Sequence, residues 1–261
     1  MPSSYALAPV DTAAALDLAL ELADLADGIT MARFRARDLR VDTKPDLTPV
    51  SEADQAAERA IRDHVAQRTD HAVVGEEFGM ESAPDAEYRW IVDPIDGTKN
   101  YVRGVPIWAT CLGLERAGEL VVGVVAAPAL GMRWWAGKGL GAFRNGDAIH
   151  VSAVANLSDA HLSFAWDREP PAIGPNLTDL WQRCWRTRGI GDFWQHMLVA
   201  EGAFDISVDP IVSLWDIAAL VPIIEEAGGR WSTTDGRNDV NGNSFVATNG
   251  LLHDDVIAAL T

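Results

Sequence analysis

Trp90-Ile91-Val92-Asp93-Pro94-Ile95-Asp96-Gly97-Thr98-Lys99-Asn100 is the stretch on which the fold turns. Tyr88 to Val92 have the residue types of a buried strand, and the next six positions bring two carboxylates, a proline, a glycine and a hydroxyl. A strand that merely reversed direction would have no use for so much acid. Asp93 falls at the strand's carboxyl end, Pro94 stiffens the exit, and Asp96 follows three residues on. Both carboxylates can therefore converge above the sheet edge, where a hard divalent cation would suit them. Gly97 lets a ligand approach the backbone, and Thr98 with the following amides can open a helix whose N–H groups face an anion. An Asx-type turn that caps a helix would use the same residues.

Working back toward the amino terminus, His71 to Gly75 reads as a short strand that also ends in paired acids, Glu76 and Glu77. Before it lies a helix with Ala57, Ile61 and Val65 on one face, capped by Ser51 or Thr48, with Glu52 and Asp54 in its first turn. Acids there are ordinary helix-start chemistry as well as candidates for a site. A polar loop with two prolines, Val41 to Val50, precedes that helix, and a broad apolar helix from Asp11 to about Ala36 comes first.

Working forward, strands are expected at Ala109 to Glu115, Leu120 to Ala127 and Met132 to Ala136, with hairpin turns at Ala117-Gly118 and Asn145-Gly146. Past Val151 the pattern alternates. It runs through a strand at Leu162 to Trp166, a helix at Leu177 to Trp185, the glycine turn Arg188-Gly189-Ile190-Gly191 and a helix from Asp192 to Glu201. A strand at Phe204 to Val208, one helix from Leu214 to Ala227, strands near Arg230 to Ser232 and Ser244 to Thr248, and a closing helix complete it. The expected organisation is an α+β half over residues 1–150 and an α/β half over 151–261, sharing an interface. Asp216 opens the apolar helix, where a helix-start acid is again an adequate explanation.

The 261 residues are 48% hydrophobic and 23% charged, as in a soluble globular chain. Acidic residues outnumber basic ones 38 to 21, a net charge of −17 that disfavours nucleic acid or an anionic membrane as partner and favours cations. No stretch reaches the ~20 apolar residues of a membrane-spanning helix, and Met1 to Val10 lack the features of a signal peptide, so a cytoplasmic location is expected. Cys111 and Cys184 read as buried thiols, and the six histidines offer no His-x-x-x-His pair for zinc.

Taken in order, Gly75-Glu76-Glu77, Asp93-Pro94-Ile95-Asp96-Gly97-Thr98 and Trp215-Asp216, the last opening an apolar helix that closes in Glu226-Ala227-Gly228-Gly229, resemble the inositol monophosphatase family of magnesium-dependent, lithium-sensitive phosphatases. Val50-Ser51-Glu52-Ala53-Asp54 stands where that family carries Val-Thr-x-x-Asp, and the likeness spans Lys44 to Gly229. The resemblance implies a layered αβαβα sandwich, usually a homodimer, acting on a small-molecule phosphate ester. It implies that Glu76, Asp93 and the Ile95 carbonyl hold one Mg²⁺, that Asp93, Asp96 and Asp216 hold a second, and that Glu76 serves a weaker third. Asp54 and Thr98 match the positions that orient the attacking water, and the backbone of Gly97 and Thr98 matches the phosphate cradle.

Lys99 after Asp-Gly-Thr, and Gly191-Asp192 followed by aromatics, are similar to the histidinol-phosphatase branch. Asp192 and Asp209 could receive the positive charge of such a substrate, although an acid at Asp209 also suits a polyol; Lys99 either contacts the substrate or screens the acids, and Arg188 completes the substrate-facing set. Trp194 and His196 fit helix packing or ring stacking. Inositol 1-phosphate is the alternative substrate, and a non-catalytic partner of RNA-handling machinery is the alternative of a different class. Without metal, the clustered carboxylates should repel one another.

Overall fold

The computed structural model describes residues 11–45, 47–80, 86–165 and 173–261. In chain order the first series is α1 (Thr12–Arg33), β1 (Val41–Thr43), β2 (Pro49–Ser51), α2 (Glu52–Arg68), β3 (Ala72–Gly75), β4 (Gly79–Met80), β5 (Tyr88–Asp96), α3 (Thr98–Val102), β6 (Ala109–Arg116), β7 (Glu119–Ala127), β8 (Met132–Gly137), β9 (Gly141–Arg144) and β10 (Asp147–Ala148). The second is β11 (His161–Phe164), α4 (Gly174–Arg183), β12 (Arg186–Arg188), α5 (Asp192–Ala200), β13 (Ile206–Asp209), α6 (Leu214–Ile217), α7 (Leu220–Glu226), β14 (Arg230–Ser232), β15 (Phe245–Thr248) and α8 (His253–Leu260). The readings placed on Met1 to Val10 and Trp166 lie outside the described residues.

The first series builds an eight-stranded sheet in the order β10-β9-β8-β7-β6-β5-β3-β4, antiparallel except where β3 runs parallel to β5. The second builds a five-stranded sheet, β12-β11-β13-β15-β14, with β12, β11 and β13 parallel. The central strands are apolar on both faces, Val121 to Ala127 being buried throughout, because helices cover both sides of the large sheet. On one side Leu22 and Ala26 of α1 and Ile61 and Val65 of α2 pack against Trp90, Leu112 and Val124. On the other, Ile91 and Val125 meet Phe193 and Met197 of α5 and Ile223 of α7, and that cluster continues to Phe245 and Ala247 of the small sheet. Leu177 of α4 and Val256 of α8 cover the far face through Leu162 and Val246. The order of layers is αβαβα, with one core shared by the two series.

One expected helix is interrupted. The run from Leu214 to Ala227 is divided into α6 and α7 at Ala218-Ala219, because Pro222 has no N–H to offer the Ala218 carbonyl. At the break the chain lies against two glycines paired across β6 and β7, Gly113 and Gly123. A Cβ on Gly123 would stand 2.1 Å from the Ala219 carbonyl oxygen, and one on Gly113 would stand 2.8 Å from Ala218 atoms. The helix start that carries Asp216 is thus seated directly on sheet backbone. Cys111 is buried, Cys184 is half-buried, and both are free thiols. Among the described residues no helix is long and apolar enough to cross a membrane.

Candidate active site

The site begins with an irregularity in β5. Asp93 pairs with Cys111 and Asp96 with Ala109, so one extra residue of β5 is accommodated between them and the strand bulges. The Thr110 hydroxyl donates to the Pro94 carbonyl at 2.8 Å, and the Ile95 amide donates to Asp93 Oδ1 at 2.9 Å. The Asx turn is therefore real, and it is also what aims Asp93 across the sheet edge. Gly97, at φ +84°, makes the left-handed step into α3, where a Cβ would come within 3.0 Å of the Ile107 carbonyl.

Two helix starts supply further acids by one device. Ser51 caps α2 in a capping box with Asp54, whose Oδ2 accepts from the Ser51 amide at 2.9 Å and hydroxyl at 2.5 Å. Its other oxygen, Oδ1, accepts from the Thr98 hydroxyl at 3.1 Å. Ser213 and Asp216 repeat the box at α6, the Asp216 Oδ2 accepting from the Ser213 amide at 2.7 Å. In each case the cap engages one oxygen and leaves the second directed elsewhere. The helix-start reading of both acids holds, and it leaves an oxygen of each for another partner.

Oxygens of Asp93, Asp96 and Asp216 lie within 4.8 Å of one another, close enough for one cation to touch all three. Their electrostatics agree. Burial pushes Asp93 well above the ordinary carboxylate range, reinforced by the charges of Glu76, Asp96 and Asp216. Asp96 is raised by burial and by Asp192 and Asp216, although the Phe193 amide donates to its Oδ2 at 2.6 Å. Asp216 is pushed up to about 7 by burial, which with repulsion from Glu76 outweighs the Ser213 bond. Asp54 is also raised, chiefly by burial. A divalent cation would relieve this self-repulsion, so the donor set fits the group that the sequence implied.

Glu76 lies just past β3, its amide bonded to the Val92 carbonyl at 3.1 Å. Its carboxylate is held by Lys44, whose ammonium stands 2.8 Å from Glu76 Oε1 and 2.7 Å from Glu77 Oε1. Burial works against the Lys44 charge, but the bonds to both glutamates outweigh it and raise its pKa. The sequence reading assigns Lys44 no role; a lysine in the proline loop before the first acid block was the available signal. The Ile95 carbonyl accepts from the Thr98 hydroxyl at 2.9 Å.

An open cleft of about 670 Å³ reaches this cluster at Asp216 and is lined also by Lys99, Asn100, Asp192, Asp209 and Ile211 among others. A smaller chamber of about 120 Å³ shares Asp192, Asp209 and Asp216 with it and is lined also by Asp96 and His196. Asp192 adopts a left-handed backbone at φ +49°, and its Oδ2 accepts from the Asn100 amide at 2.9 Å, a partner absent from the sequence-based set. Burial raises Asp192, against the opposing charge of Lys99, and raises Asp209 to about 7. His196 is buried with Nδ1 2.8 Å from the Ser207 hydroxyl, while Trp194 packs against the central core. Arg188 is exposed on β12, its Nη1 donating to the Thr187 carbonyl at 2.8 Å, and the cleft lining begins one residue later, at Gly189. A larger depression of about 880 Å³ around Arg33, Arg40 and Arg59 contains none of the expected site residues.

A bulged strand that ends in two aspartates, joined by a third from a distant helix start between two sheets, defines a phosphatase of a known kind: the chain belongs to the inositol monophosphatase family, whose model matches residues 11–261. It is a phosphate monoester hydrolase. Within the family it is 51% identical over 255 residues to a histidinol-phosphatase of Mycobacterium tuberculosis, covering 94% of this chain and 97% of that one. It is 49% identical over 259 residues to a histidinol-phosphatase of Streptomyces coelicolor, covering 94% and 96%. The fold superposes on the IMPase of Thermotoga maritima with a TM-score of 0.85 at 32% identity, over 95% of this chain and 96% of that one.

Proposed function

We propose that this chain hydrolyses L-histidinol phosphate to L-histidinol and phosphate, with Mg²⁺ held by Glu76, Asp93, Asp96, Asp216 and the Ile95 carbonyl. The observation that carries the proposal is the convergence of Asp93, Asp96 and Asp216, the last of which also lines a cleft with two further carboxylates, Asp192 and Asp209. Bound Mg²⁺ supplies a water acidified toward neutrality and offsets charge on the entering and leaving oxygens. The single Thr98 hydroxyl proton has two acceptors, the Ile95 carbonyl at 2.9 Å and Asp54 Oδ1 at 3.1 Å; with the carbonyl engaged by the metal it would turn to Asp54, leaving the hydroxyl oxygen to accept from a water. Asp54, raised by burial, is suited to hold the proton. The backbone at Gly97 and Thr98 would receive phosphate oxygens, and no side-chain nucleophile is required.

Asp192 and Asp209 would receive the substrate's ammonium and imidazole, charges that an inositol ring lacks. Asn100 holds one oxygen of Asp192, which leaves the other for the substrate. The same reading gives residues 1–150 most of the metal ligands and residues 151–261 Asp216 together with Asp192 and Asp209, and it extends to a cytoplasmic homodimer inhibited by Li⁺ that acts in histidine biosynthesis.

Phosphate release across a panel of monoesters tests the proposal. L-Histidinol phosphate should exceed inositol 1-phosphate by tenfold or more in kcat/KM, and the reverse preference would make the chain an inositol monophosphatase. Undiminished release by Asp93→Asn, or in excess chelator, would overturn the metal assignment.

A further inference from the structure

Glu58 is a charge for which the reaction above has no use, yet it is 0% exposed in α2. A buried carboxylate persists only where its bonds offset the loss of water. Its Oε2 accepts from the Glu77 amide at 2.8 Å, and its Oε1 accepts from the Phe78 amide at 3.3 Å and from Arg62 Nε and Nη2 at 2.9 and 2.7 Å. Arg62 in turn donates to the Val73 carbonyl at 3.2 Å and the Gly79 carbonyl at 2.6 Å. Backbone groups on both sides of Glu76 are therefore tied to one pair of side chains on α2. Gly75 completes the arrangement, since a Cβ there would stand 2.0 Å from Glu58 Oε1.

An ion pair that merely stabilised α2 would not need to bond the two amides that follow Glu76. We infer that Glu58 is a positioning residue for Glu76: with Arg62 it fixes the β3–β4 turn so that the Glu76 carboxylate is presented to the divalent-cation site. The inference rests on the reading of Glu76 as a metal ligand. Glu58→Gln keeps the shape, but its amide has one acceptor and one donor end, so either the Glu77 amide or Arg62 loses its partner.

The test is Mg²⁺ binding to the metal-free full chain by calorimetry, together with the Mg²⁺ dependence of phosphate release. Glu58→Gln should weaken Mg²⁺ binding by ~10-fold or more, as loss of a group that orients a ligand does. At saturating Mg²⁺, kcat and the KM for substrate should stay within about twofold, since the variant alters presentation and not the acids themselves. Arg62→Lys, which cannot reach both carbonyls, should shift the Mg²⁺ titration in the same direction and serves if Glu58→Gln fails to fold. Arg59→Ala removes a guanidinium 4.9 Å from the Phe78 ring on the same turn, without a backbone bond, and should leave the titration unchanged. A folded Glu58→Gln or Arg62→Lys that loses thermal stability but titrates with Mg²⁺ as the wild type does would overturn the inference. Glu76→Gln separates the two levels: if it too leaves Mg²⁺ binding intact, the ligand assignment falls, and if it alone weakens binding, the positioning role falls.

Discussion

Replacing Asp216 by Asn should abolish activity and yet stabilise the metal-free protein at alkaline pH. Burial, with repulsion from Glu76, holds the folded-state pKa near 7 against an ordinary 3.8, so the folded chain disfavours the ionised form. At about 1.4 kcal/mol per pH unit, that interval sets a ceiling of about 4 kcal/mol on the cost of carrying this charge. Asp216 is partly exposed and shares protons with its neighbours, so about 2 kcal/mol is expected, or a rise in Tm of about 6 °C for a chain of this size. Asn retains an oxygen for the Ser213 amide, so the helix cap survives. A group whose folded pKa is raised costs nothing below its unfolded pKa and costs fully above its folded one. The advantage of the variant should thus be complete above about pH 7, shrink to less than half at pH 5, and vanish below about 3.8. Scanning calorimetry in chelator at pH 8 and pH 5 measures it, and adding Mg²⁺ should raise the Tm of the wild type much more than that of the variant. A variant less stable than wild type at pH 8, or equally stabilised by Mg²⁺, would refute the account of Asp216 as a repelled metal ligand.

Asp93→Asn should lower kcat/KM by at least about 100-fold, beyond the usual effect of losing a group that only supports a ligand, as read by phosphate release. Asp192→Asn should lower kcat/KM for L-histidinol phosphate by ~10-fold, about the strength of one charge-assisted bond, and change that for inositol 1-phosphate little. Gly123→Ala forces a methyl against the Ala219 carbonyl and should cost about 1–3 kcal/mol in urea denaturation, with a lower kcat because Asp216 shifts. His196, held near a pKa of 3 by burial, refuses a proton that the unfolded chain accepts below about 6.5. Its stability contribution is therefore lost toward acid at about 1.4 kcal/mol per pH unit, and His196→Asn should flatten the fall in stability between pH 6 and pH 4 by that slope.

The residues legible from sequence were those whose neighbours along the chain shape them. Asp93 and Asp96 belong to one turn, and the proline, glycine and hydroxyl around them announced it. Asp54 and Asp216 were ambiguous because the capping box occupies one oxygen of each carboxylate and leaves the other for the proposed site, a distinction that exists only in three dimensions. Glu58 and Lys44 were harder to read for another reason: the Glu58–Arg62 pair looks like an ordinary surface pair at i,i+4, and the partners that give the two residues their place, the Glu77 amide and the Glu76 carboxylate, stand 19 and 32 residues away. The division of α6 from α7 was written in Pro222 but masked by the apolar periodicity around it. Arg188 opens the glycine turn in sequence, and its exposure at the end of β12 is a property that only the fold supplies.

The glycine pair beneath Asp216 has a consequence for how such a chain can change. Gly113 and Gly123 register the second layer of helices against the first sheet through atoms that are missing, so the height of the third aspartate is set where there is nothing to mutate away and only something to add. A methyl gained at either position would be absorbed by a small lift of the α6 start. A change there should lower the activity of a molecule that still folds, without touching any residue of the site itself.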